Sequence, residues 1–310
     1  MKTVKKLVTD PKTGEVREET FTVLEPGDQV TTQEEREQRK EFAERDRNRA
    51  MRKSWFKESE AELGPFVFAL FDRTHGPQHS LKEGTYARLA YLATYLDFDQ
   101  RLAKTQKASM TKKDAERVLG LSRAEFYRFW AEVTDAQCVK EDEDGVLCLP
   151  KQLFARGKIT VKGYHAGFAK VFVRQMRKLY KAVPAKSHRY LGAVFQALPY
   201  VSVKYNILCW NPLETDIDKV EPMTLTDFCV LTGRSKSDVS KLRREYQKIK
   251  FTMEDGIARW FCAFVRSTVG GQTEREIIVI NPRVVFMGED WRYVEAHIMH
   301  FPEGQPVSKP

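Results

Sequence analysis

Between Asp144 and Glu214 the chain has no acidic residue at all. That stretch holds twelve bases: Lys151, Arg156, Lys158, Lys162, Lys170, Arg174, Arg177, Lys178, Lys181, Lys186, Arg189 and Lys204. The whole chain is only +9, so everything outside the window is net acidic. A solvated basic helix accounts for part of such a run, but a total lack of acids fits a neutralised polyanion better. Cysteine is also sparse. Cys138, Cys148, Cys209, Cys229 and Cys262 are scattered and never form a Cys-x-x-Cys pair. This excludes a disulfide frame or a zinc ribbon and reads as small core residues in a reducing cytosol. Apolar runs are too short to span a bilayer. The start, MKTVKKLVTDPKTGEV, lacks the apolar centre of a secretory signal.

Reactive groupings are missing as well. There is no Gly-x-x-x-x-Gly-Lys-Ser/Thr phosphate loop, which argues against a self-powered ATPase. The six histidines form neither His-x-His nor His-Glu-x-x-His. His75 and His79 are separated by Gly76-Pro77, which keeps a helix from placing both on one face, and His297 and His300 have no Cys neighbours. The sequence therefore assigns no catalytic residue, no metal and no cofactor, and reads as a binder and not an enzyme.

What is present is a repeated punctuation. Thr111, Asp114, Gly120, Ser122 and Glu125 recur at the same spacing as Thr224, Asp227, Gly233, Ser235 and Asp238. Each Thr-x-x-Asp and each Ser-x-x-acid reads as a capping box at a helix start. The Gly between them sits where one helix ends and the chain turns. Two capped helices on a Gly turn predict a helix-turn-helix, here in two copies. Such a pair also serves as a packing or dimerisation module, so duplication does not require both copies to bind DNA.

The surrounding pattern predicts a mainly α chain with small β wings, an α+β fold of tandem winged helix-turn-helix domains. Residues 1–62 read as an arm: a hairpin over 5–24 turning at Pro11-Lys12-Thr13-Gly14, then a charged helix capped by Thr32-x-x-Glu35. The first domain spans 63–160, with PFVFALF as an edge or packing strand, a helix carrying Tyr86, Leu89, Ala90, Leu92, Ala93 and Leu96, and a hairpin after Val139. The second spans 161–291. GFAKVFV echoes PFVFALF, helices follow to Ala182 and to Pro199, and ARWFCAFVRS with REIIVINP forms a long wing. Residues 292–310 read as a tail.

Charge separates the two copies. From Leu121 to Asp144 there are three bases against seven acids, whereas from Arg234 to Lys250 there are seven bases against two acids. The second copy is thus the expected reader of double-stranded DNA. Helical spacing turns Val239, Leu242, Tyr246 and Ile249 inward. Lys236, Ser237, Ser240, Lys241 and Arg244 then face outward as base contacts. Thr224, Thr226, Arg234, Arg174 and Lys178 are expected at phosphates, and Arg266 and Arg275 at the wing.

The segment MTLTDFCVLTGRSKSDVSKLRREYQKI, followed by IIVINPRVVFMGED, resembles the winged helix of small Gram-positive plasmid replication proteins and related phage proteins. The likeness rests on the helix-turn-helix and on Ile280-Asn281-Pro282, Phe286 and Gly288, and covers about 224–290. It implies a sequence-specific DNA-binding protein in initiation or control of plasmid or phage replication, located in the bacterial cytosol, at the nucleoid or in a phage-infected cell. A transcription regulator of the same build and a protein-interaction adaptor built on winged helices stay open. So do a homodimer and a host replication or transcription protein as partners.

Overall fold

The computed structural model describes residues 2–11, 13–23, 36–47, 50, 61, 63–73, 81–105, 108–159, 166–253, 256–267, 275–288 and 301. The chain divides into two compact units, 1–53 and 54–310. In the first, strands β1 (Lys2–Thr9) and β2 (Val16–Val23) form an antiparallel hairpin from Lys2↔Val23 to Thr9↔Val16. Its turn closes through Asp10 N–H to Glu15 O and Gly14 N–H to Asp10 O, with Gly14 at φ 71°, a region open to glycine. Residues 36–47 form helix α1 with every side chain exposed, Phe42 among them. Its expected Thr32–Glu35 cap lies outside the described residues.

The second unit is mixed α+β with small antiparallel sheets. It opens with β3 (Phe66–Asp72), α2 (Glu83–Ala93), β4 (Ala103–Thr105) and β5 (Ala108–Ser109). Helices α3 (Lys112–Leu119) and α4 (Arg123–Asp135) follow, then the hairpin β6 (Lys140–Glu141) and β7 (Leu147–Cys148), and β8 (Phe154–Ala155). A second series runs β9 (Ala166–Phe172), α5 (Val173–Ala182), α6 (His188–Gln196), α7 (Leu225–Leu231) and α8 (Val239–Lys248). It ends in β10 (Lys250–Thr252), β11 (Ala258–Trp260), β12 (Cys262–Ser267), β13 (Arg275–Ile280) and β14 (Val285–Phe286). Among the described residues no helix is long and apolar enough to cross a membrane.

Both capping boxes at Thr-x-x-Asp form. Asp114 and Asp227 N–H donate to the Thr111 and Thr224 hydroxyls, and the two carboxylates accept the Thr N–H at 3.1 and 2.8 Å. Gly120 and Gly233 take φ 62° and 68° in the turns. The Ser caps differ. Ser122 accepts from Glu125 N–H as the spacing predicts, but Ser235 accepts from Ser237 N–H and opens a 3-10 turn at Lys236–Asp238 before α8 begins. The strand expected over 258–267 also breaks. At Phe261 the chain switches partner, so β11 pairs with β10 and β12 with β13.

The two series are joined at their heart. PFVFALF is not an edge strand: β3 lies inside a sheet ordered β14-β9-β3-β8, paired antiparallel with its own echo β9. Phe66, Phe68 and Leu70 hold in β3 the places of Phe168, Lys170 and Phe172 in β9. The register sets Phe66 opposite Phe172, Phe68 opposite Lys170 and Leu70 opposite Phe168. Equivalent residues thus exchange across a two-fold axis at Phe68/Lys170. Backbone bonds repeat about it. Leu70 N–H to Leu153 O has its mate in Phe172 N–H to Val284 O, and Leu102 N–H to Leu147 O in Leu208 N–H to Ile278 O. Met110 N–H to Leu102 O is matched by Met223 N–H to Leu208 O. Gln100 and Asn206, both at positive φ, accept from Leu149 and Ile280. Lys170 is fully buried at the axis, its Nζ 5.8 and 5.2 Å from the centres of the Phe66 and Phe286 rings.

Helices α2 and α6 cross beside the sheet. Gly192 lets them touch, since a Cβ there would lie 1.6 Å from Glu83 O. One apolar cluster runs through both series, from Val67 and Tyr86 to Tyr246 and Val285. At roughly 25 cal/mol per Å² of apolar burial, such a shared core holds the repeats together as one body.

Candidate nucleic-acid interface

The α7–α8 pair presents the face that helical spacing predicts. Leu242, Tyr246 and Ile249 are buried and Val239 partly so, with the Tyr246 hydroxyl donating to Tyr190 O at 2.8 Å. Lys236, Ser237, Ser240, Lys241 and Arg244 are all exposed along the opposite side. Lys236 and Ser237 lie in the 3-10 turn, so the outward row begins on a tighter helix than α8 itself. The Ser237 hydroxyl is 2.8 Å from that of Ser235.

The expected phosphate contacts divide. Arg234 is already paired with an acid. Its guanidinium makes two bonds to the Glu83 carboxylate, at 2.6 and 2.5 Å, and is only 16% exposed. Its Nη1 and Nη2 are thus engaged with a carboxylate, which competes with a phosphate for the same fork. The Thr224 hydroxyl is engaged in its capping box, and Thr226 is half-buried on α7. On α5, Arg174 is exposed with its guanidinium beside Gly64, while Lys178 is half-buried. Arg266 is exposed on β12 opposite Glu276. The Arg275 side chain and the loop 268–274 lie outside the described residues.

Arg243 went unnoticed in the sequence. It bonds Glu276 on β13 and lies over the Phe264 ring, bracing α8 against the hairpin. Its neighbour Arg244 faces outward, and nothing in a charge count tells the two apart. Arg189 was likewise missed as a site residue. It is exposed in the first turn of α6 and borders a cleft with Lys241 and Arg234.

Burial also rewrites the charge of the first helix pair. Glu125 faces Arg88 of α2 at 3.7 Å, and Glu132 accepts from Lys82 N–H and the Thr85 hydroxyl. Asp142 pairs with Arg101 at 2.9 Å. On α4 the positions matching Lys236, Ser237, Ser240, Lys241 and Arg244 are Arg123, Ala124, Tyr127, Arg128 and Ala131, all exposed. That row carries two cations and no acid. Lys112 stands over the Trp130 and Tyr127 rings at 4.9 and 5.9 Å, and Arg123 over Tyr127 at 5.7 Å.

Among the described residues no cluster of His, Cys, Asp and Glu is arranged to hold a metal ion. Comparison with family models, with curated proteins and with solved structures finds no match.

Proposed function

We propose that this chain binds double-stranded DNA as a tandem winged-helix protein and reads base edges through α8. The observation that carries the reading is the split of α8 into two faces. One is apolar and packed on Tyr190 and the core. The other, begun in the 3-10 turn before it, is a row of Lys236, Ser237, Ser240, Lys241 and Arg244 open to solvent. Such a row on the second helix of a turn-linked pair fits the major groove, where Lys and Arg meet guanine and Ser meets either partner. In this reading β12 and β13 are the wing, with Arg266 beside the duplex.

The two-fold axis brings the first pair to an equivalent position. Its row offers Arg123, Tyr127 and Arg128 but two alanines, which suits bracing the backbone more than reading bases. The biological role follows from the resemblance of 224–290 to plasmid and phage replication proteins: initiation or control of replication. DNA recovered with the purified protein, sequenced and footprinted, tests the binding. A replicon stripped of its own initiator and carrying that site tests the role. Replication only when the chain is supplied supports initiation, whereas control of a reporter without replication supports the transcription-regulator reading.

A further inference from the structure

Beside the outward row of α8 lies a cleft of about 150 Å³ bordered by Arg189, Tyr190, Arg234, Asp238, Lys241 and Leu242. We infer that this cleft seats a phosphate of the DNA backbone, held by Arg189 together with Lys241. The inference rests on the reading of α8 as the recognition helix and adds a contact from a different element, α6.

Three cations converge on the cleft, but they are not equivalent. Arg234 is neutralised by its paired bonds to Glu83. Arg189 donates to the Tyr190 hydroxyl at 3.0 Å and lies over the same ring at 4.9 Å. Both are neutral partners, which orient the guanidinium without cancelling its charge. Lys241 is exposed on the recognition row. The acids on this side are Asp238, on the cleft wall, and Glu245, whose carboxylate is bonded to Lys248 at 2.7 Å, also feels the charges of Arg189 and Arg244, and is held below the usual range. A planar guanidinium held by an aromatic ring matches two phosphate oxygens at once.

Size and place agree. At roughly 30 Å³ per water the cleft has room for about five waters, enough for a phosphate tetrahedron and its hydration. When a recognition helix lies in the major groove, a backbone strand runs along each flank, and the preceding elements meet it. In that docking, the strand on the α6 side of α8 would pass this cleft. A free phosphate shares the chemistry, but the site opens onto the row that reads DNA.

The test is duplex affinity across a salt series for the wild type, Arg189→Ala, Arg189→Gln and the charge-matched surface control Lys219→Ala. The duplex is the wild type's footprinted site, and melting curves confirm the fold of each variant. Both Arg189 variants should weaken binding about tenfold whatever the sequence, and flatten the log–log salt slope by about 0.9, the value of one phosphate contact. Lys219→Ala should do neither. Inorganic phosphate should displace DNA more effectively than chloride at equal ionic strength from the wild type, but not from the Arg189 variants. Unchanged affinity and slope in both Arg189 variants, while Lys236→Ala still loses binding, would overturn the cleft and leave the α8 reading intact. A wild type that binds no duplex at low salt would overturn both. Thermal stabilisation by phosphate that depends on Arg189 would then reassign the cleft to a free anion.

Discussion

His188 shows how a single buried side chain sets a pH limit. Its ring packs on Tyr180 at 4.1 Å between centres, Tyr180 stacks on Tyr91 at 3.9 Å, and His188 Nε2 lies 3.0 Å from Val183 O. Burial first, then the positive charge of Arg88, lowers its pKa from 6.5 to about 4. The unfolded chain therefore takes up a proton that the folded one refuses. Stability should be complete above about pH 6.5, fall as pH drops toward 4, and change little from this source below that. The full loss is about 3 kcal/mol. Urea unfolding of the wild type and His188→Gln between pH 4 and 7 checks this, and parallel pH profiles would refute it. Arg234 gives a second residue-scale expectation. As a partner of Glu83 it belongs to stability, so Glu83→Gln and Arg234→Ala should each cost about 2 kcal/mol. The double variant should cost less than their sum by about 1 kcal/mol or more. Additive losses would show that the pair contributes no coupling to stability.

Elements were legible where their causes are local. Thr111 with Asp114 and Thr224 with Asp227 make bonds within one turn, and Gly120 and Gly233 answer a backbone angle, so spacing alone revealed them. The outward face of α8 followed from its period. The 3-10 start at Lys236 was not legible, because a Ser cap can accept from either of two successive N–H groups and spacing alone does not say which. The break at Phe261 was hidden for a similar reason. ARWFCAFVRS is uniformly strand-forming, and its switch from β10 to β13 depends on the Phe261 N–H bond to Ile249 O. The crossing of α2 and α6 yields a sharper test. Gly192→Ala places a methyl where Glu83 O stands, and the helices must separate. Overpacking of this kind should cost about 3 kcal/mol, whereas Gly84→Ala, whose added Cβ would come no closer than 3.9 Å to Arg189 N, should stabilise the helix by about 0.5 kcal/mol. Thermal melting of both variants decides, and equal shifts would show that the crossing tolerates the methyl.

Across the whole second unit the echo of PFVFALF in GFAKVFV was visible, but not that the echoes pair. A sequence shows likeness between strands, whereas their hydrogen bonding depends on a two-fold axis that only the assembled core creates. Gln100 and Asn206 are equivalent in backbone and bonding, yet differ in residue type and sit in connectors of unequal length. Counting charge along the chain overstated the acidity of the first helix pair, since Glu125, Glu132 and Asp142 turn to Arg88, α2 and Arg101. In the proposed reading, labour is divided across the axis: α8 would read sequence and α4 would brace the backbone. The decisive measurement is the ratio of affinities for the footprinted site and a scrambled duplex, compared among the wild type, Lys236→Ala/Lys241→Ala and Arg123→Ala/Arg128→Ala. The wild-type ratio should reach about 10³ or more. The α8 pair should cut that ratio by about tenfold or more per lost base contact, whereas the α4 pair should weaken both duplexes alike and leave the ratio standing. A ratio unmoved by Lys236→Ala/Lys241→Ala, or lost through Arg123→Ala/Arg128→Ala instead, would contradict the assignment of α8 as the reading helix.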